Sequence, residues 1–163
     1  ACEYGLGKGY RHFFYGGASG VADRLAANLR GRYPGLQVAG TRSPPFRQLS
    51  PDEMRIEKQI IEEAKPHLLW VALGSPRQER WVAELSSTID VPVLLAVGAA
   101  FDFHSGARPW APSWVRAAGM EWFFRMLTGD RRIIARNFRA VPRTAMIIAR
   151  AILSRQPQHV LNG

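Results

Sequence analysis

From Leu68 to Leu73 six apolar residues follow one another, and the run then breaks into Gly74, Ser75, Pro76, Arg77, Gln78 and Glu79. No other stretch restricts the possible folds so much. A strand with one wet face alternates apolar and polar residues, whereas a strand that is apolar throughout must be covered on both faces, as parallel strands are by their crossover helices. Residues 91 to 98, VPVLLAVG, repeat the pattern. Both runs are too short to cross a membrane, and no stretch approaches the roughly 18 apolar residues that a spanning helix needs.

The segments around these runs fit the same architecture. YRHFFYGG at 10 to 17 reads as a strand halted by paired glycines. Val21, Leu25 and Leu29 then make a helical stripe closed by Gly31 and Pro34. LQVAGTRSPPF gives a short strand and a loop whose prolines forbid continuation. Ser50-Pro51-Asp52-Glu53 predicts a capped helix start, with Met54, Ile60, Ile61 and Ala64 turned inward. Strand and helix thus alternate, which predicts an α/β fold, a Rossmann-like parallel sheet with helices on both faces. Residues 1–112 form this core, and 163 residues of 47% hydrophobic content can bury one such core. From about residue 113 the rhythm is helical only, which predicts a C-terminal helical appendage over 113–163. Cys2 is the only cysteine, so no internal disulfide forms and a cytosolic setting is the default.

In a sheet of this kind ligands bind beyond the carboxyl ends of the strands. Four turns are expected at that edge: Gly16-Gly17, Thr41-Arg42-Ser43, Gly74 to Glu79, and Gly98 to Asp102. Glycine lets the backbone approach a phosphate, and a helix N-terminus offers N–H groups and a positive dipole end, so the edge suits an anionic nucleotide. Neither GxGxxG nor GxxxxGK[ST] occurs, and GGASG at 16 to 20 reads equally as a tight strand-to-helix turn. Arg42 is either an exposed loop residue or a fixed cation for a diphosphate. Gln78 closes a second capping-box pattern with Ser75, under which Arg77 and Glu79 are surface charges. Asp102, between Phe101 and Phe103 at a strand end, needs partners that a ribose, a base N–H or a protein amide would supply. Cys2 and His104 make no metal or nucleophile pattern.

The net charge of +9 is unevenly spread. Residues 1–107 hold 12 Lys and Arg against 11 Asp and Glu, whereas residues 108–163 hold 10 Arg against only Glu121 and Asp130. Arg125, Arg132, Arg136, Arg139, Arg143 and Arg150 follow at spacings of 7, 4, 3, 4 and 7, which aligns them on one helical face, with a bend or break expected at Pro142. With Trp122, Phe123 and Phe124 nearby, the segment reads as a binder of anionic membrane surfaces. A basic nucleic-acid-binding α/β module is the competing reading. A merely solvated face fits least, because alternating acids are lacking.

Taken together, LWVALGSPRQERW, VGAAFDFHSG, the Ala111-Pro112 pair before Trp114, and GMEWFFRML with its following arginines resemble the WecG/TagA/CpsF family of bacterial glycosyltransferases. The resemblance implies inverting, metal-independent transfer of an N-acetylhexosamine, without any cofactor, from a UDP-sugar to a polyprenyl-diphosphate-linked glycan acceptor. It also implies peripheral association with the cytoplasmic face of the bacterial inner membrane, in cell-surface polysaccharide synthesis, with a homo-oligomer possible and no nucleic acid expected. Gln78 falls on the Gln of the family's G-x-P-x-Q-E motif, a catalytic donor-site residue, beside Gly74 and Glu79. Asp102 falls on the Asp of G-A-F-D, next to Phe101, as a nucleotide contact. Arg125, Arg132 and Arg136 fall on the appendage arginines, and Arg139 and Arg143 extend that acceptor- and membrane-facing set. With Gly16, Gly17 and Arg42 these complete the expected substrate contacts. Family members carry a preceding segment with the aspartate usually assigned as general base, for which this sequence has no counterpart, so the chain alone is expected to be impaired in catalysis. RPWAP at 108 to 112 and TGDRR at 128 to 132 also depart from the family pattern and bear on acceptor choice.

Overall fold

The computed structural model describes residues 1–121, 124 and 146. The chain divides into two compact units, Ala1–Pro109 and Trp110–Gly163. The first opens with a short helix, α1 (Cys2–Gly5), and a 3-10 turn (Leu6–Lys8). It continues through β1 (Arg11–Gly16), α2 (Val21–Arg32), β2 (Gln37–Arg42), α3 (Pro51–Ala64), β3 (Leu68–Ala72), α4 (Arg77–Ser86), β4 (Val93–Ala96) and α5 (Ala100–His104). The four strands form one parallel sheet in the order β2-β1-β3-β4. In the second unit the described part holds α6 (Ser113–Ala117), where Val115 is buried and Trp114 exposed. Arg125, Arg132, Arg136, Arg139 and Arg143 lie outside the described residues.

The two-residue period of the strands divides the core into two layers. Phe13 and Tyr15 of β1, with Leu69 and Val71 of β3, face one side and meet Ile61 of α3 and Trp81 and Leu85 of α4. Phe14 and Ala72 face the other side and meet Val21, Ala22 and Leu25 of α2 and Phe101 of α5. Both faces of β1 and β3 are therefore covered, as their apolar runs require. β4 departs from that reading. It ends the sheet order, spans Val93–Ala96, and leaves Val93 41% exposed. An apolar run at an edge looks the same in sequence as one in the middle.

The local signal at the start of α3 acts as expected. The Ser50 side chain accepts the Glu53 N–H at 3.2 Å, and the Glu53 carboxylate accepts the Ser50 N–H at 2.8 Å, so α3 starts in a capping box with Pro51 behind it. Ile61 is buried, and Met54, Ile60 and Ala64 pack partly buried against the same layer. In the α2 layer, buried His12 stacks on Phe14 and Trp70 and accepts the Trp70 indole N–H at Nδ1, 3.0 Å away. Burial, ahead of the neighbouring positive groups, pushes its imidazole below the ordinary histidine value. Among the described residues no helix is long and apolar enough to cross a membrane.

Candidate functional site

Because all four strands run the same way, the loops after β1, β2, β3 and β4 emerge at one edge. The chain goes from β1 to β2 on one side and returns past β1 to β3 on the other, so the order reverses between β1 and β3. That is the place where an open parallel sheet leaves a crevice for ligands.

The glycines there answer to geometry. Gly16 has φ 119°, and a Cβ on it would stand 2.3 Å from the Ala72 carbonyl oxygen. Gly17 follows at φ 77°, donates its N–H to that carbonyl at 2.8 Å, and leaves space that a Cβ would take from Val21, 2.8 Å away. No residue with a side chain fits either position without moving the backbone. The turn thus folds over the end of β3 and delivers the chain to α2, whose N-cap Gly20 contributes no capping side chain. Ser43 braces the turn, donating its hydroxyl to the Gly16 and Ala18 carbonyls at 3.3 and 3.2 Å.

After β3, Gly74 turns at φ 78° and α4 begins at Arg77 with Pro76 as N-cap and no side-chain cap bond. The capping box expected of Ser75 and Gln78 is therefore not formed. Proline occupies the cap position and has no hydroxyl to offer, and Gln78 is the second residue of the helix instead of the third. Its side chain, 6% exposed, lies toward the end of β4, where a Cβ on Gly98 would be 3.4 Å from Gln78 Oε1. The Gln78 amide donates to Glu79 Oε1 at 3.1 Å, while its own carbonyl oxygen is buried with no protein partner. The exposed Glu79 carboxyl is held below the usual range, first by its own backbone N–H and then by Gln78 and Ser75.

Arg42 closes β2 and is neither a free loop residue nor an unattached cation. It donates two hydrogen bonds to Glu57 of α3, at 2.6 and 3.2 Å, and Glu57 is buried. Asp102 stands in α5, past the strand end where it was expected, and Arg108 supplies the partner that its carboxylate needs, at 3.3 Å. Phe101 is a core group, 2% exposed, edge-to-face with Phe14 at 5.9 Å and close to Gly17. The edge thus gathers Gly16, Gly17, Phe101, Gln78 and Gly98 around the ends of β1, β3 and β4. Arg42 joins Glu57 beside α3.

Two residues at this edge were not anticipated. Tyr15, fully buried at the end of β1, stacks on Trp81 of α4 with ring centroids 4.4 Å apart and planes 13° apart. The Tyr15 hydroxyl and the Trp81 indole N–H are both buried without a protein partner. An unmatched buried polar group costs about 1–3 kcal/mol, so the pair is not explained by packing alone. Nothing in FFYGG or QERW distinguishes these rings from ordinary core. A groove of about 1190 Å³ opens beside Trp81 between α3 and α4, lined by Ser50, Met54, Lys58, Arg77, Arg80 and Trp81 among others. Among the described residues, no three His, Cys, Asp or Glu side chains gather as a metal site.

Known proteins match this chain over most of its length. The model of the family described as "Glycosyl transferase WecG/TagA/CpsF family" matches residues 1–158. The chain belongs to the WecG/TagA/CpsF glycosyltransferase family. Its relatives include the protein named N-acetylglucosaminyldiphosphoundecaprenol N-acetyl-beta-D-mannosaminyltransferase from Bacillus subtilis (strain 168), 30% identical over 138 residues, which are 85% of this chain and 51% of that protein. The protein of the same name from Bacillus spizizenii is 30% identical over 122 residues, 75% of this chain and 46% of the relative. That from Staphylococcus aureus (strain MRSA252) is 29% identical over 121 residues, 74% of this chain and 46% of the relative. The chain thus spans about half the length of the curated relatives it matches.

Proposed function

We propose that this polypeptide is the donor-binding part of a transferase that moves an N-acetylhexosamine from a UDP-sugar to a polyprenyl-diphosphate-linked glycan acceptor in cell-surface polysaccharide synthesis. The observation that carries the reading is that the Gly16-Gly17 turn, where the strand order reverses, shares one sheet edge with Gly98 and the buried, under-used amide of Gln78 at the end of β4. Family membership and the names of the relatives support the reaction class.

In this mechanism the glycine turn lets the donor diphosphate lie close to the backbone, and Gln78 orients the sugar through its free carbonyl oxygen. The acceptor hydroxyl attacks the anomeric carbon in line and inverts it. It loses its proton to a carboxylate that the family resemblance assigns to a preceding segment. Arginines, in place of a metal ion, meet the charge that develops on departing UDP. Asp102, shared with Arg108, orients the nucleoside. The arginine-rich appendage holds the enzyme to the cytoplasmic leaflet where the acceptor resides.

Thermal melting tests the nucleotide site without requiring turnover. UDP at 100 times its Kd is expected to stabilise the chain by about 2.7 kcal/mol, with no effect from NAD. Gln78→Ala should weaken UDP-N-acetylhexosamine binding by roughly tenfold while changing UDP binding far less, for loss of one buried hydrogen bond to the sugar. A chain indifferent to UDP, or equally stabilised by NAD, would end this reading.

A further inference from the structure

Two of the unpartnered groups at the sheet edge are hydrogen-bond donors, unlike the acceptor oxygen of Gln78. Tyr15 O–H and Trp81 N–H are donors, both buried, and their rings are locked face to face. Burial, followed by the Glu57 carboxylate, raises the Tyr15 phenol, while Arg42 and Arg77 act in the opposite sense, so the hydroxyl keeps its proton and stands in the field of all three charged groups. Glu57 is already committed to two hydrogen bonds from Arg42, which fixes the Arg42 guanidinium while leaving its side chain 43% exposed. Arg77 opens α4 and lines the α3–α4 groove together with Trp81. Two neutral donors, with the Arg77 guanidinium lining the same groove as Trp81, call for an anion rich in acceptor oxygens. The carboxylate of Glu57, the acid in the cluster, is consumed within the protein.

We propose that Tyr15 and Trp81 are substrate-contacting residues, donating hydrogen bonds to a diphosphate held beside Arg77 in the α3–α4 groove at the sheet edge. This rests on the transferase reading above and deepens it, because that reaction involves two diphosphates, one in the nucleotide donor and one in the lipid-linked acceptor. Both present the same oxygens to the cluster. The stacked pair also gives a physical reason for tolerating unmatched polar atoms in the core: their partner arrives with the substrate.

Tyr15→Phe removes the hydroxyl and keeps the ring and its stack. Calorimetric titration of the full 163-residue chain with UDP, with farnesyl diphosphate and with uridine, beside a thermal melt, separates the possibilities. The variant is expected to melt at or above the wild-type temperature, since an unmatched hydroxyl has gone, and to lose about tenfold in affinity for one diphosphate with uridine unaffected. A loss confined to UDP assigns the subsite to the donor, and a loss confined to farnesyl diphosphate assigns it to the acceptor. Trp81→Phe subtracts the second donor and is expected to show the same pattern, which keeps the test readable if one variant folds poorly. Unchanged affinity for both diphosphates in folded variants, against a wild type that binds, overturns the subsite and leaves the transferase reading standing. A wild type that binds neither overturns both.

Discussion

Arg42 shows how a side chain expected to meet a ligand can serve stability. Its guanidinium compensates the carboxylate of Glu57, which α3 carries into the core at 6% exposure. Removing one partner of a buried pair strands the other, at about 3–5 kcal/mol, but Arg42 is itself 43% exposed and water screens part of the loss. Arg42→Ala is therefore expected to destabilise the fold by about 1–3 kcal/mol in urea denaturation, and Arg42→Ala combined with Glu57→Leu to recover more than half of that. No recovery in the double variant would mean that Glu57 is matched by something other than Arg42. At this scale the sequence was legible only where a residue type restricts the backbone. Gly16 and Gly17 could be picked out, since the turn tolerates nothing larger. Glu57 could not, because an acid in a charged helix looks solvated until its helix is docked, and the unmatched hydroxyl of Tyr15 exists only once neighbours surround it.

Elements held by local bonds were the most readable. The start of α3 is written in four adjacent residues, and Ser50→Ala should cost about 1 kcal/mol, measurable as a lowered urea midpoint. Its reciprocal partner sets a pH dependence. The Glu53 carboxyl is pushed down to about 2 from 4.5, first by Arg47 and then by the Ser50 backbone N–H. The folded value lies below the unfolded one, so this contribution is complete above about pH 4.5 and is lost as pH falls toward 2. Glu53→Gln should accordingly flatten the acid limb of the stability curve between those limits, and an unaltered limb would assign the dependence to other carboxyls. The start of α4 carries nearly the same four letters, yet its helix begins later and no box closes. The difference is tertiary: Gln78 is drawn to the end of β4, and Pro76 takes the cap position. β4 likewise read as a covered strand and is an edge, because an apolar run reports its composition and not its place in the sheet order.

For the whole molecule, the separation of a nearly neutral first two-thirds from an arginine-rich remainder is the property with the widest consequence. An arginine near an anionic leaflet contributes about 1 kcal/mol, so exchanging Arg132, Arg136 and Arg139 for Ala should lower partitioning onto phosphatidylserine vesicles on the order of 100-fold in flotation, with the residual binding falling as salt is raised. Unchanged flotation, or tight duplex binding with no vesicle association, would move the molecule to the nucleic-acid reading. By itself the sequence determined the alternation of strands and helices, the class of sheet, the turns at one edge and the family, since these follow from periodicity, backbone restrictions and short ordered motifs. Only the tertiary structure decided that β1 and β3 are central and β4 an edge, that Arg42 is anchored to Glu57, that Asp102 is shared with Arg108, and that Tyr15 and Trp81 hold unmatched donors side by side. Each of those facts depends on residues far apart in the chain meeting in a desolvated place, where a polar group must be paired, and no local pattern records which partner it will find.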